Sequence, residues 1–161
     1  MRLSTLPLAA AALIAFGASA QDFKYTAPAT SLAGVPSGTY ELDKNHASIL
    51  FSYLHMGFSH PVSRFKHFDA TLKFDATHPE ASKIDVTINP GSVDSGSEAM
   101  DTKFASKELF DIAQFPSATF TSTRIVQTSP TTGKLTGELT LHGVTKPVTL
   151  DVTFNGAGPT R

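Results

Sequence analysis

The feature that most constrains this chain is a period-two alternation of apolar and polar residues, repeated in short segments from residue 39 to residue 154. Phe68, Ala70, Leu72 and Phe74 alternate with Asp69, Thr71, Lys73 and Asp75. Successive side chains of a strand point to opposite faces, so this spacing predicts a strand with one face buried. Ile84, Val86 and Ile88 repeat the pattern, as do Leu135, Gly137, Leu139 and Leu141, then Val148, Leu150, Val152 and Phe154. Strands are also expected over Gly38 to Asp43, Ser48 to His55 and Ala118 to Val126. In the second of these, Ile49, Phe51, Tyr53 and His55 share a face. Turns are expected at Lys44-Asn45, Asp75 to Glu80, Pro90-Gly91, Ser129 to Gly133 and Gly143 to Lys146.

One segment breaks the alternation. Met100, Phe104, Leu109 and Ile112 approximate helical spacing, and Ser97, Glu98 and Asp101 supply helix-start chemistry. A short helical insertion is therefore expected across Glu98 to Asp111. About seven strands with one such insertion predict an all-β, antiparallel fold, a barrel or a sandwich. A single amphipathic sheet cannot cover its own apolar face, so closure is the natural solution. A barrel of about eight strands has an interior that side chains fill or that holds one small ligand.

Composition agrees with this reading and excludes several functions. Ser and Thr total 36 residues while charged residues are only 17%, and Thr suits a half-exposed strand face. Cysteine is absent, which removes disulfides, thiolate metal sites and cysteine nucleophiles. A formal net charge of −1 lacks the basic field that nucleic acid requires.

Met1 to Ala20 reads as a secretory signal peptide. Arg2 is followed by an apolar run to Phe16 and by a small-x-small cleavage site at Ala18-Ser19-Ala20. The mature chain would be Gln21 to Arg161, 141 residues, and contains no segment apolar enough to span a bilayer as a helix. The expected location is the periplasm, with secretion to the medium as the alternative. Residues 21–37, rich in Pro, Gly, Ala and Ser, read as a flexible leader, and 38–161 as the folded domain.

Patterns that carry chemistry are sparse. The histidines are His46, His55, His60, His67, His78 and His142, and none forms the close pairs usual in metal sites. Hydrogen bonding at turns is the better reading for His46 and His142, with contact to a ligand head group as the lesser one. No Gly-x-Ser-x-Gly elbow is present, and Ser92-Val93-Asp94-Ser95-Gly96 lacks its strand-turn-helix context. The carboxylates lie mostly on outward strand positions or in turns, so no enzyme, metal or cofactor is expected. The aromatic content is more informative: the mature chain holds eleven Phe and three Tyr, many of them on strand faces. Such residues either pack a solid core or line an apolar pocket, and composition leaves both open.

Several stretches together resemble the YceI-like family of small exported bacterial proteins. Tyr40-Glu41-Leu42-Asp43 with His46, Ile49 and Phe51 is similar to its opening motif, and His55-Met56-Gly57 with Phe65 and Phe68 to the next segment. Phe74-Asp75 through Ser92-Val93-Asp94-Ser95 follows the same order, as do Asp101, Phe104, Leu109-Phe110-Asp111, Phe115-Pro116 and Phe120. Gly137 to Val148, reading GELTLHGVTKPV, is the sharpest match. The chain departs from the family at Ala47, Ser63, Met100 and Glu108-Leu109, where Ser, Gly, Arg and Asp-Phe are usual.

The resemblance implies a lipocalin-like barrel. It also implies a polyisoprenoid or isoprenoid quinone held in an elongated apolar tunnel, with no catalysis and no metal. Family members continue past the point where this chain stops, so the expected barrel is a strand or two short at its C-terminus. The residues expected to hold the ligand are Phe51, Tyr53, Phe68, Leu72, Phe74, Ile84, Val86, Ile88, Phe104, Phe120, Leu139, Leu141 and Val152. A register slip of one residue would invert any of these faces. The alternative is a structural or stress-protective envelope protein whose barrel is solidly packed, and a homodimer is the assembly to test.

Overall fold

A computed structural model describes residues 31–158; the signal-peptide reading and the first part of the leader lie outside them. The elements are β1 (Gly38–Glu41), β2 (Ile49–Ser52), β3 (Val62–Phe65), β4 (Phe68–Phe74), β5 (Lys83–Ile88), β6 (Val93–Asp94), α1 (Glu98–Ala105), β7 (Ala118–Gln127), β8 (Thr132–Leu141) and β9 (Val144–Thr153). Short 3-10 turns at Pro79–Ala81 and Pro90–Ser92 bracket β5. All strand pairs are antiparallel. They form a six-stranded sheet ordered β1-β4-β5-β7-β8-β9 and a three-stranded sheet ordered β2-β3-β6.

The register converts the alternation into one inner face. Leu72 lies opposite Ile84, Ala70 opposite Val86, and Phe68 opposite Ile88. Val86 and Ile88 continue to Phe120 and Ala118, and Phe120 to Leu139. The outer face carries polar pairs: Thr121 Oγ1 donates to Asp85 at 3.0 Å, and Thr136–Thr149 and Thr140–Thr145 hydroxyl pairs lie at 2.9 and 2.8 Å. β7 changes parity midway. Its register shifts between Ser122 and Arg124, so Ala118, Phe120 and Ser122 face inward before the shift and Ile125, opposite Leu135, after it.

Four details differ from the sequence expectations. β3 and β6 were not anticipated, because four and two residues are too short to display a period. α1 stops at Ala105 rather than reaching Asp111; a chain of turns follows, with Asp111 at φ 44°. β9 begins at Val144 and runs through Pro147. Pro147 faces Glu138, three pairs from the His142-Gly143 turn, where an antiparallel ladder has a non-hydrogen-bonded pair. Its missing N–H therefore lies on the open edge of the sheet, where proline is tolerated. Finally, among the described residues the two sheets are not hydrogen-bonded to one another, so barrel closure is not part of the observed ladder.

The serine-rich stretch after β5 holds the smaller sheet in place. Ser92 is buried; its Oγ accepts from His67 N at 2.9 Å and donates to Asn89 O at 2.7 Å. Arg64 Nε and Nη2 donate to Asp94 Oδ2 at 3.0 and 2.8 Å, across the paired positions of β3 and β6. Asp101 Oδ1 accepts from both Ser95 N and Ser95 Oγ, tying α1 to β6. Ser97 is the N-cap residue of α1, but its side chain makes no capping bond.

Candidate functional site

A cavity of about 900 Å³ lies between the two sheets. The large sheet contributes Val86, Ile88, Ala118, Phe120, Leu139, Leu141, Val148 and Leu150. The small sheet and the residues after β2 contribute Ile49, Leu50, Phe51, Tyr53, His55 and Phe65. Met100, Lys103, Phe104, Leu109 and Phe110 of α1 and the turns that follow complete the wall. His55, Lys103 and Tyr53 carry the polar side-chain groups of this set; His55 and Lys103 are exposed and Tyr53 is half-buried. The rest of the wall is hydrocarbon and aromatic.

Five rings build one side of the cavity. Phe51 stacks on Phe65 with centroids 5.0 Å apart and meets Phe104 and Phe110 edge-on at 5.6 and 6.1 Å. Phe104 stacks on Phe110 at 5.5 Å and meets Tyr53 at 5.5 Å. These separations lie in the favourable range for offset and edge-to-face pairs. The cluster therefore joins the small sheet to α1 without help from the backbone ladder.

A second apolar cavity, of about 240 Å³, lies toward the other end of the large sheet. Its wall includes Leu72, Phe74, Ile84, Ile125, Leu135, Val152 and Phe154, with Leu32 and Pro79 from the flanking segments.

Of the thirteen residues expected to hold a ligand, Phe51, Tyr53, Val86, Ile88, Phe104, Phe120, Leu139 and Leu141 line the larger cavity. Leu72, Phe74, Ile84 and Val152 line the smaller one. Phe68 lines neither; it is half-buried beside Ile88. Sequence reasoning missed Phe65 and Phe110 as wall residues. Phe65 sits on the unanticipated β3, and Phe110 in turns that have no period, although both stand within the quoted motifs. Val148 and Leu150 were legible, since they share the apolar face of Val152. Two departures from the family pattern, Met100 and Leu109, also face the cavity.

The histidines at turns act locally. His46 Nδ1 lies 2.7 Å from Asp43 Oδ2, in the turn after β1. His142 adopts φ 52° in the β8–β9 turn, and its ring lies 4.9 Å from that of Phe115. Among the described residues, no group of three His, Asp or Glu is placed to hold a metal ion. The perturbed carboxylates lie outside the cavity wall. Asp94 is held below the usual carboxylate range by the Arg64 guanidinium, Asp69 by Lys44, Asp43 by His46, and Asp75 by the backbone N–H groups of His78 and Thr77.

The YceI-like domain model matches residues 40–160. A UPF0312 protein of Pseudomonas savastanoi pv. phaseolicola is 43% identical over 121 residues, covering 74% of this chain and 63% of the relative. Protein YceI of Salmonella arizonae is 44% identical over the same length, also covering 74% and 63%. The chain thus spans less than two thirds of the length of these relatives. Among solved structures, BcnA of Burkholderia cenocepacia superposes with a TM-score of 0.67 at 29% identity, covering 73% of each chain. A polyisoprenoid binding domain from Saccharophagus degradans superposes with a TM-score of 0.55 at 20% identity, covering 74% of this chain and 69% of that one; at this identity the likeness is one of fold. On the extent of the domain match and the identity to these relatives, the chain belongs to the YceI-like family.

Proposed function

We propose that this protein is an exported binding protein for a long apolar chain, a polyisoprenoid or an isoprenoid quinone, and that it performs no catalysis. The observation that carries this reading is the larger cavity. Its volume of about 900 Å³ is in the range of ligand sites, and its wall is apolar apart from Tyr53 and the exposed His55 and Lys103. Each methylene buried there would contribute roughly 0.8 kcal/mol, so a prenyl or acyl chain needs no charged anchor along its length. Such an interior suits a ligand whose head group stays near His55 and Lys103 while its tail runs inward. A cavity of this size counts against a solidly packed interior.

The two sheets facing each other across the cavity support the lipocalin-like reading. That a fold neighbour is a polyisoprenoid binding domain makes prenyl chains the first ligands to test. The N-terminal signal peptide reading supports export, to the periplasm in the first instance.

The test is native mass spectrometry of the mature chain, with solvent extraction of whatever accompanies it, followed by uptake of prenyl alcohols and quinones. Co-purified or absorbed prenyl chains are the expected result. A ligand-free preparation that takes up neither class would overturn the proposal.

A further inference from the structure

The two cavities lie along the same strands yet share no wall residue. On β5 the boundary falls between Ile84 and Val86, and on β9 between Val152 and Leu150. On β8 it falls between Leu135 and Leu139, at Gly137. On β7 Phe120 belongs to the larger cavity and Ile125 to the smaller. Phe120 is buried, and its ring lies over Gly137: a Cβ built on Gly137 would stand 2.4 Å from Phe120 Cζ and 2.6 Å from Cε2. Gly137 has an ordinary φ, so what its missing side chain supplies is room for the ring. Ser122, opposite Gly137, is also buried, and its Oγ accepts from Ile84 N at 2.8 Å, which fixes the neighbouring strand at the same level.

We infer that Phe120, laid across Gly137, is the stop that sets how deep an apolar chain reaches, and so the length-determining residue of the site. The inference rests on the apolar-chain reading above. A tail entering at the His55 and Lys103 end runs past Ile88 and Leu141 and meets the Phe120 ring. Behind the ring, the smaller cavity offers more hydrocarbon surface along the same line of strands, with Ile84, Ile125, Leu135 and Val152 in its wall. Burying more of a tail strengthens binding only while there is apolar space to receive it. Affinity should therefore rise with chain length and then level off where the ring blocks further entry.

The experiment measures binding of all-trans prenyl alcohols of increasing length, from farnesol upward, to the mature wild type, F120A and F120L. Thermal unfolding reports whether each variant folds. In the wild type, affinity should level off with length. In F120A the levelling should move to longer alcohols, with a gain of at least about tenfold for the first length beyond the wild-type limit; F120L should show a smaller move. Coinciding length profiles, or an equal loss at every length, would overturn the inference while leaving apolar-chain binding intact. Failure of the wild type to bind any alcohol would remove the underlying reading and this inference with it. A measurement on the wild type alone avoids the folding question. A prenyl chain carrying a diazirine at its tail end, of the length at which affinity levels off, should label Val86, Phe120 or Leu150, with the labelled residue located by fragment spectra. Labelling of Ile125, Leu135 or Phe154 would show that the chain passes the ring, and would refute it.

Discussion

Replacing Gly137 by alanine should destabilise the protein by about 2 kcal/mol, and the geometry says why. The added methyl would stand 2.4 Å from Phe120 Cζ, 2.6 Å from Phe120 Cε2 and 2.6 Å from the backbone oxygen of Thr121. Relief requires the buried ring to shift and the Thr121 carbonyl, held in the β7–β8 pair, to retreat. Overpacking of this kind costs about 1–3 kcal/mol, and the involvement of backbone favours the upper part of that range. The restricted unfolded chain of the alanine variant offsets roughly 0.4–1 kcal/mol. For a chain of this length the net corresponds to a Tm lowered by roughly 6 °C. Urea unfolding followed by circular dichroism measures it. G133A is the control, since a Cβ there meets one backbone oxygen, Val126 O, at 3.1 Å. In a double-mutant cycle with F120L, which withdraws the ring, about 1 kcal/mol of the loss should be recovered. A G137A variant within about 0.5 kcal/mol of wild type, or strict additivity with F120L, would refute the contact between ring and glycine.

Other perturbations test the remaining supports. Ser63 is buried on β3 and its Oγ has no hydrogen-bond partner among the described residues, so S63A should be neutral or raise stability by about 1 kcal/mol in urea unfolding; a loss of that size would mean the hydroxyl is satisfied. Phe104 touches the rings of Phe51, Tyr53 and Phe110, and F104A should cost about 3–5 kcal/mol; a wild-type urea midpoint would show that the cluster does not join α1 to the small sheet. Asp94 has its pKa lowered from 3.8, chiefly by its hydrogen bond from Arg64, so its contribution is present above that pH and is lost as pH falls through the lower, folded value. D94N should therefore be less stable than wild type at neutral pH, and the two curves should converge as pH falls through the lowered folded value; a constant gap would contradict the linkage.

Much of the large sheet was legible because its strands are long enough to repeat a period. Phe68 to Phe74 and Lys134 to Leu141 each show their buried face several times over, and the observed register keeps those residues on one face. The small sheet was not legible for the opposite reason. β6 is two residues long, and β3 presents only Ser63 and Phe65 to the interior, so neither displays an alternation. What fixes them is non-local: the Arg64–Asp94 pair, the Ser92 hydrogen bonds and the ring of Phe51 against Phe65. The turn expected over Gly143 to Lys146 placed the start of β9 just before Pro147, three residues too late. A proline marks a strand boundary only where its N–H is required, and on the open edge of β9 it is not.

The same distinction explains the site. Inward-facing residues on long strands were found by parity alone, but parity cannot say which of them share a space. Leu139 and Leu135 lie on one face of one strand, yet they line different cavities. The division arises where two features meet across the β7–β8 pair: a large ring at Phe120 and an absent side chain at Gly137. In the sequence Gly137 reads as a weak point in an apolar strand, because glycine packs nothing. In the folded chain that absence is what leaves room for the Phe120 ring against the backbone, at the level where the two cavity walls part. The shape of the interior thus depends on a pairing of large against small, seventeen positions apart, and becomes visible only once the register places Ser122 opposite Gly137 and Phe120 beside it.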